Sequence, residues 1–540
     1  MQDLSSSLRT FSTSTFYYLL GLSVSVSCFG LFIPIMEVDA SQYASMSLEL
    51  WQSHSLLQLT DLGEAYLDKP PLLFWLAGLS IHILGNSSFA FKLPSFLFAW
   101  GSVYALYRFT ILYYPISIAR LSALVYACSV AFLLFTNDIR TDTLMIALVV
   151  FSVWQLGEFL QKNKVIALYL ATGFIALAML AKGPIGLVVP CLAFGPNILL
   201  KRQWKSFIRW EIIFIPLILL LILSPMLIGL HQQWGMHGLS FFFWEQSFGR
   251  ITGENVWENE ASYFYFLHNI VWAVLPFTLF FISSLVQVLV NWKKQVEYIS
   301  FFGLLLPFLA LSLSHYKLPH YIYVTVPFAS ILIAKSIHTW IHKTSKHFDL
   351  VAYCVQLTLI AALLIIPILI FFAFPASILT YFTYLLGIVA ILSFFYLLQF
   401  RKQALILASF SAFLLGGFIV NSHAYPALLK YQGSSEAAFY IKDQNIPQDQ
   451  LYQHDIWWRG FHYYSGGNVP AFYKDSLANH NAYVLTNEDG YNLLSSMHQT
   501  ELLKRFDHFN VTRLSVDFLN PSTRKNKLQS LYLLKIYPSD

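Results

Sequence analysis

Most of the chain alternates long apolar runs with short polar joints, and the last fifth turns polar. A membrane-crossing helix needs about 20 predominantly apolar residues, with a range of roughly 17 to 25. Runs of this kind lie near 15–36, 89–112, 117–136, 143–160, 165–181, 184–200, 210–230, 263–290, 298–314, 319–340, 350–373, 378–399 and 403–421. They predict an α-helical polytopic membrane protein with about 13 transmembrane helices. One further run, Leu72 to Leu84, is too short to cross. It follows Pro70-Pro71, which suit a helix's first turn because their missing N–H groups would be unpaired there anyway. It is expected to lie in or dip into the interface as a juxtamembrane helix. Beyond Val420, residues 435–443 and 491–497 have helical spacing, and residues 481–485 and 531–536 read as strands. The expected organisation is a transmembrane domain over 1–421, including an outer loop 37–88 with juxtamembrane helices. A small α/β domain over 422–540 follows, long enough for its own core.

Composition and charge give this pattern a direction. The chain is 57% hydrophobic and 11% charged, against about 25% charged in a soluble domain. A net charge of +5, spread over many joints, does not suggest a nucleic-acid partner. With the N-terminus cytoplasmic, the inner joints carry Arg108 and Arg120, Lys162 and Lys164, then Lys201, Arg202, Lys205 and Arg209. Lys293 and Lys294, Lys343 and Lys346, and Arg401 and Lys402 complete the series. This obeys the positive-inside rule, and counting Leu72–Leu84 as a full span would invert it. The C-terminal region is therefore expected outside. The first run is too long for a typical signal h-region and lacks a small-x-small cleavage site, so it is expected to be a retained span. The four cysteines all lie in apolar runs and imply neither a disulfide frame nor a zinc cluster.

The informative cations are those on the outer side: Lys69, Arg140, Lys182, Lys317, and Arg250, which follows Glu245 in FFFWEQSFGR. A ring of cations beside lipid suggests a bound anion, most simply a phosphate or pyrophosphate. Each has a plainer alternative. A lysine at a helix end often snorkels to the interface. Arg140 can pair with Asp138 or Asp142, and Arg250 with Glu245 or Glu254, as exposed ions commonly do. Two acids, Asp39 and Asp142, fall on the same face, where a carboxylate near a phosphate can accept a proton from an incoming hydroxyl. Both also suit a helix start. The helix expected after Asp39 shows Ala44, Leu48 and Trp51 as an apolar stripe fit to lie on a membrane. His231, His237, His268, His315 and His320 include no close ligand pair, so no metal site is assigned, although a divalent cation is compatible with the acids. No phosphate-binding Gly-rich loop is present, which argues against nucleotide hydrolysis.

The segments VDASQYA, AYLDKPPLLFWLAGLSIHILG, IRTDTLMIA, LAKGPIGLVVP, FFFWEQSFGR and SLSHYKLPHYIYVTVPFASIL occur in this order. Together they resemble the bacterial GT-C membrane glycosyltransferases, above all the lipid A aminoarabinose transferases, relatives of the protein O-mannosyltransferases. The resemblance runs over roughly residues 15–340. It implies transfer of a sugar from a polyprenyl-phosphate carrier, on the periplasmic side of the bacterial inner membrane, to lipid A or another periplasmic acceptor. The sugar implied is 4-amino-4-deoxy-L-arabinose. By this resemblance Asp39 and Asp142 are the family's acids and candidate catalytic residues, and Lys69 meets the carrier phosphate. Tyr43, Tyr66, Arg140, Lys182, Glu245, Arg250, Lys317, His320 and Tyr321 are further candidate contacts to phosphate and sugar. Ala40 and Gln42 stand where the family usually has glutamate and arginine. Two alternatives stay open: a protein or glycan O-glycosyltransferase using the same kind of donor, and a lipid or solute transporter. A transporter would favour internal repeats, which the chain lacks.

Overall fold

The computed structural model describes residues 12–246, 249, 262–343, 345–399, 401–473 and 481–538. Every predicted apolar range contains helix, the first of them ending at Gly30 and not at residue 36. Eight helices are long and apolar enough to cross a membrane alone, and two bent pairs bring the number to ten. Thr13–Gly30, Ile185–Leu200 and Ile299–Ser312 account for the other three predicted ranges. The helices Trp210–Glu245, Lys346–Ala373 and Ile378–Leu397 bury only 17%, 22% and 17% of their most apolar windows. A lipid environment explains such exposed apolar faces.

The structure corrects the sequence expectation in four places. The run 263–290 is not one straight span: Tyr265–Ala273 and Thr278–Val290 meet at 113°, with Pro276, which has no N–H to continue a helical ladder, between them. The run 117–136 bends by 51° between Ala127 and Val130, where Ser129 Oγ accepts from Phe132 N at 3.2 Å and starts a new helix. The last span does not end at 421 but continues helically to Leu429. Polar Asn421 and His423 are tolerated there because both are satisfied internally. Asn421 bridges Val26 O and Asn137 at 2.9 and 2.7 Å, and His423 meets Phe374 O at 2.8 Å. Finally, the stripe of helix Asp39–Gln52 does not lie on lipid: Ala44 and Leu48 are buried in the protein core.

Leu72–Leu84 is a helix with those bounds, and it packs on Asp39–Gln52. A Cβ added at Gly78 would sit 2.7 Å from Ser47 O, so glycine allows the close approach. The outer loop also folds a short hairpin, β1 (Thr60–Asp61) and β2 (Glu64–Ala65). The C-terminal region forms a four-stranded sheet of β3 (Leu451–His454), β4 (Ala482–Thr486), β5 (Thr500–His508) and β6 (Gln529–Ile536). Its order is β3-β4-β6-β5, with only the β3–β4 pair parallel. Side chains alternate across it. Val484, Leu534 and Ile536 build a small core on one face, whereas Leu485, Leu531 and Leu533 join the main core that reaches into the membrane helices. The sheet region is thus packed onto the transmembrane body.

Residues 31–38 carry the chain from the first helix to Asp39, and polar side chains hold them in place. Buried Lys92 donates to Gly30 O at 3.0 Å and Ile33 O at 2.9 Å. Ile35 N donates to Tyr464 Oη at 2.8 Å. Gln432 receives Glu37 N at 2.9 Å and donates to Ile35 O at 2.8 Å. The Glu37 carboxylate accepts from Gly460 N at 2.8 Å, from Ser434 Oγ at 3.2 Å and from Ser41 Oγ. Burial pushes the Glu37 carboxyl up to about 7, despite these donors and nearby Arg459.

Two predictions follow from this packing. A carboxyl raised in the folded state holds its proton more tightly there than when unfolded, so its contribution to stability falls as pH rises from about 4.5 to about 7. Glu37→Gln should remove up to roughly 3 kcal/mol of that pH dependence, read as a flatter melting-temperature profile across the window. Gly78→Val should force the two outer-loop helices apart at a cost of about 1–3 kcal/mol, read by thermal unfolding in detergent.

Candidate active site

The ends of several helices enclose a cavity of about 350 Å³. Asp39, Gln42 and Tyr43 come from the first turns of helix Asp39–Gln52, and Tyr66, Asp68 and Lys69 from the strand-to-helix link before Pro70. Arg140 and Asp142 start helix Thr141–Lys162, and Lys182 ends helix Val165–Lys182. Tyr316, Leu318, His320 and Tyr321 complete the wall. Nine of the twelve candidate residues therefore meet in one space. Lys317 does not line it: the wall passes through Tyr316 and Leu318, and Lys317 Nζ lies 5.3 Å from the Tyr263 ring centroid. Glu245 also stands apart, 3.9 Å from His237 Nδ1. Arg250 lies outside the described residues. Sequence reasoning left out Gln42, Asp68, Tyr316 and Leu318. Asp68 carried a signal, being next to Lys69 in the same motif, and so did Gln42, which stands at the family's usual arginine position, whereas Tyr316 and Leu318 have none apart from their neighbours.

The charges are interlocked. Arg140 joins Asp39 through Nη1 and Asp138 through Nε, the latter at 2.8 Å. Burial works against the guanidinium charge, but Asp138 and Asp39 outweigh it and hold Arg140 firmly protonated. The pair with Asp138 is one of the two plainer alternatives for Arg140, and Asp39, from a different helix, is a second partner. Asp142 is 5% exposed, pairs with Lys182, and has His320 Nε2 at 3.7 Å. Lys182 Nζ also lies 4.1 Å from the Tyr321 ring centroid, a cation–π distance. Lys69 pairs with Asp68, which accepts from Gln246 Nε2 at 3.2 Å. Asp39 and Asp142 occupy first helical turns, and Lys182 a last turn, each where the helix dipole favours its sign. Gly183, with φ of +96°, makes the turn after Lys182, a conformation that side-chain-bearing residues avoid. Burial pushes the Tyr43 and Tyr66 phenols well up, so both remain protonated donors. Among the described residues no group of three or more His, Cys, Asp or Glu is arranged to hold a metal ion.

An apolar groove of about 140 Å³ opens beside this cavity. Ile185, Val188, Val189 and Leu192 of one helix face Pro307, Ala310 and Leu311 of another across it. Lys69, Lys182 and Tyr321 line both spaces. The polar cavity and the apolar groove therefore meet at two ammonium groups and a phenol.

Comparison with known proteins agrees with this architecture. Residues 68–228 match the family model described as dolichyl-phosphate-mannose-protein mannosyltransferase. An uncharacterized protein of Aquifex aeolicus is 30% identical over 267 residues, covering 49% of this chain and 59% of that one. The undecaprenyl phosphate-alpha-4-amino-4-deoxy-L-arabinose arabinosyl transferase of Serratia proteamaculans is 24% identical over 334 residues, covering 56% and 55%. The chain thus spans a little over half the length of these relatives. The structure of ArnT from Cupriavidus metallidurans bound to undecaprenyl phosphate superposes with a TM-score of 0.75 at 15% identity, covering 96% of this chain and 98% of that one. At this identity the likeness establishes the fold. The matched segment runs through the cavity from Asp68 to Lys182, and the fold is shared with that structure over nearly the whole chain; the protein is a multi-pass membrane protein with an ArnT-like fold, similar over residues 68–228 to the dolichyl-phosphate-mannose-protein mannosyltransferases.

Proposed function

We propose that the chain transfers a sugar from a polyprenyl-phosphate carrier to an acceptor on the outer face of the bacterial inner membrane. The observation that carries this reading is the junction at Lys69, Lys182 and Tyr321, where the polar cavity meets the apolar groove. A polyprenyl phosphate has this division: an apolar tail for the groove and an anionic head for the two ammonium groups. The relatives named for undecaprenyl-phosphate aminoarabinose transfer support the same donor class and make aminoarabinose the first sugar to test, with lipid A, which the sequence resemblance implies, as the first acceptor. Helix Thr141–Lys162 starts at the cavity and ends in basic Lys162, which supports a cytoplasmic N-terminus and a periplasmic cavity.

In this mechanism the acceptor oxygen attacks the anomeric carbon as the bond from that carbon to the phosphate oxygen breaks. The electron pair leaves with the phosphate. Charge grows on the departing phosphate, so Lys69 and Lys182 stabilise the transition state more than the bound donor. Asp39 takes the acceptor's proton when the acceptor is a hydroxyl, with Arg140 holding its carboxylate in place. A phosphate acceptor has no such proton to lose, and Asp39 then orients it. Asp142 positions Lys182. A single displacement inverts the anomeric carbon.

The test is transfer of radiolabel from polyprenyl-phosphate sugars into a membrane extract by purified protein in nanodiscs. Lys69→Ala should lower transfer by roughly 10²- to 10³-fold, and Asp39→Asn by roughly 10²- to 10⁴-fold with a hydroxyl acceptor. Label in lipid A would identify the acceptor. Label in protein or glycan would keep the donor half and change the acceptor. Absence of transfer by folded wild-type protein from every donor would overturn the reading. Leu192→Trp should fill the groove and raise KM for a full-length carrier on the order of tenfold, while a short-chain carrier is little affected.

A further inference from the structure

A second polar cavity, of about 440 Å³, lies where the C-terminal sheet region meets the outer end of helix Lys346–Ala373, and it shares no lining residue with the active site. Four cations border it, Lys430, Lys504, Arg505 and Arg524, against two acids, Glu436 and Asp507. Arg524 is structural. It donates to Phe518 O at 2.9 Å, to Tyr431 Oη at 3.1 Å and to Ala373 O at 2.5 Å, and so ties the sheet region to the helix end. The other three keep donors for a ligand. Lys430 and Lys504 enter no ion pair within 4.0 Å among the described residues, and Lys504 rests its ammonium 4.4 Å from the Tyr440 ring centroid. Arg505 uses only Nε, towards Ser530 Oγ at 2.8 Å. A break in strand register between Leu502 and Lys504 comes immediately before these two cations, and such bulges re-aim side chains.

The surroundings point to a lipid. Phe374 and Pro375 form the lower wall, beside Phe372 and Ile378, which are 70% and 87% exposed at the ends of two lipid-facing helices. Cations that share a cavity with Phe374 and Pro375, next in the chain to exposed apolar helix ends, match an anionic headgroup with its own acyl chains. Glu436 and Asp507 leave the cavity with a net positive charge, and two ammonium groups with an unused guanidinium fork suit phosphate oxygens.

We infer that this cavity binds the phosphate of an anionic membrane lipid, on the same side of the membrane as the active site. The site would anchor the sheet region to the bilayer, and through that region's contacts with the outer loop it would steady the active-site wall. The ligand chemistry is a lipid phosphate, from either a phospholipid diester or a phosphorylated glycolipid. The inference does not depend on sugar transfer.

The test is native mass spectrometry of the full chain in detergent with phosphatidylglycerol, lipid A, phosphatidylcholine or inorganic phosphate. The variants are Lys430→Glu/Lys504→Glu, the milder Lys430→Gln/Lys504→Gln, and Lys69→Ala as a control for the active site. Wild type should retain phosphatidylglycerol or lipid A, whichever is the source, over phosphatidylcholine. Both Lys430/Lys504 double variants should lose at least about tenfold of that retention at an unchanged melting temperature, and Lys69→Ala should keep it. Equal retention in wild type and the glutamine variant, or loss only in Lys69→Ala, would overturn the inference. Binding of inorganic phosphate without either lipid would make this a soluble-anion site and overturn the lipid assignment.

Discussion

The structure depends on how residues 30–37 are held. Past Gly30 it has no regular secondary structure, and Leu31, Ile33, Ile35 and Glu37 are buried, so its backbone groups need partners from elsewhere. Lys92 supplies two donors from a neighbouring span, while Gln432 and Tyr464 supply three contacts from some four hundred residues downstream. Glu37 returns the favour by receiving Gly460 N. Leaving such groups unpaired would cost about 1–3 kcal/mol each. The position of Asp39, two residues after Glu37, is therefore set jointly by the membrane helices and the C-terminal region. Arg459 extends this coupling: it grips Asp61 at 2.9 and 3.0 Å, and Asp61 accepts from Gln42 at 2.8 Å on the cavity wall.

At the cavity the same economy applies to charge. Isolated buried ions are costly, and pairing is what makes them tolerable. Here each of these cations is paired with an acid: Lys69 with its neighbour Asp68, Arg140 with nearby Asp138 and with Asp39 of another helix, and Lys182 with Asp142 of another helix. The pairs hold ammonium and guanidinium groups in fixed directions without a ligand. In the proposed reaction an arriving phosphate would meet cations already oriented, and the adjoining groove would take the rest of an amphipathic donor.

Much of this was legible in the chain. Apolar run length set the number and place of the helices, because crossing lipid is a local, one-dimensional constraint, and the distribution of lysine and arginine set the side expected for each joint. Leu72–Leu84 was separable from the spans by length alone. Lys69, Arg140 and Lys182 stood out as cations at outer helix ends, which brought nine site residues into view. Lys317 shared that signal yet points elsewhere, since direction at a helix end depends on the turn, not on the residue type.

Other features arose only in three dimensions. The 113° break near Pro276 and the continuation past Asn421 depend on neighbours that supply or deny hydrogen bonds. The pairing of Arg140 with Asp39 joins residues one hundred positions apart, and the junction of groove and cavity needs five elements at once. What the sequence determined by itself was which segments are long and apolar enough to enter the membrane, and which charged residues gather at their ends. Tertiary structure alone decided which charges face one another and where the polar space opens onto the apolar one. The reason is physical: burial in lipid is scored along the chain, whereas ion pairing and cavity shape are scored between segments that only folding brings together.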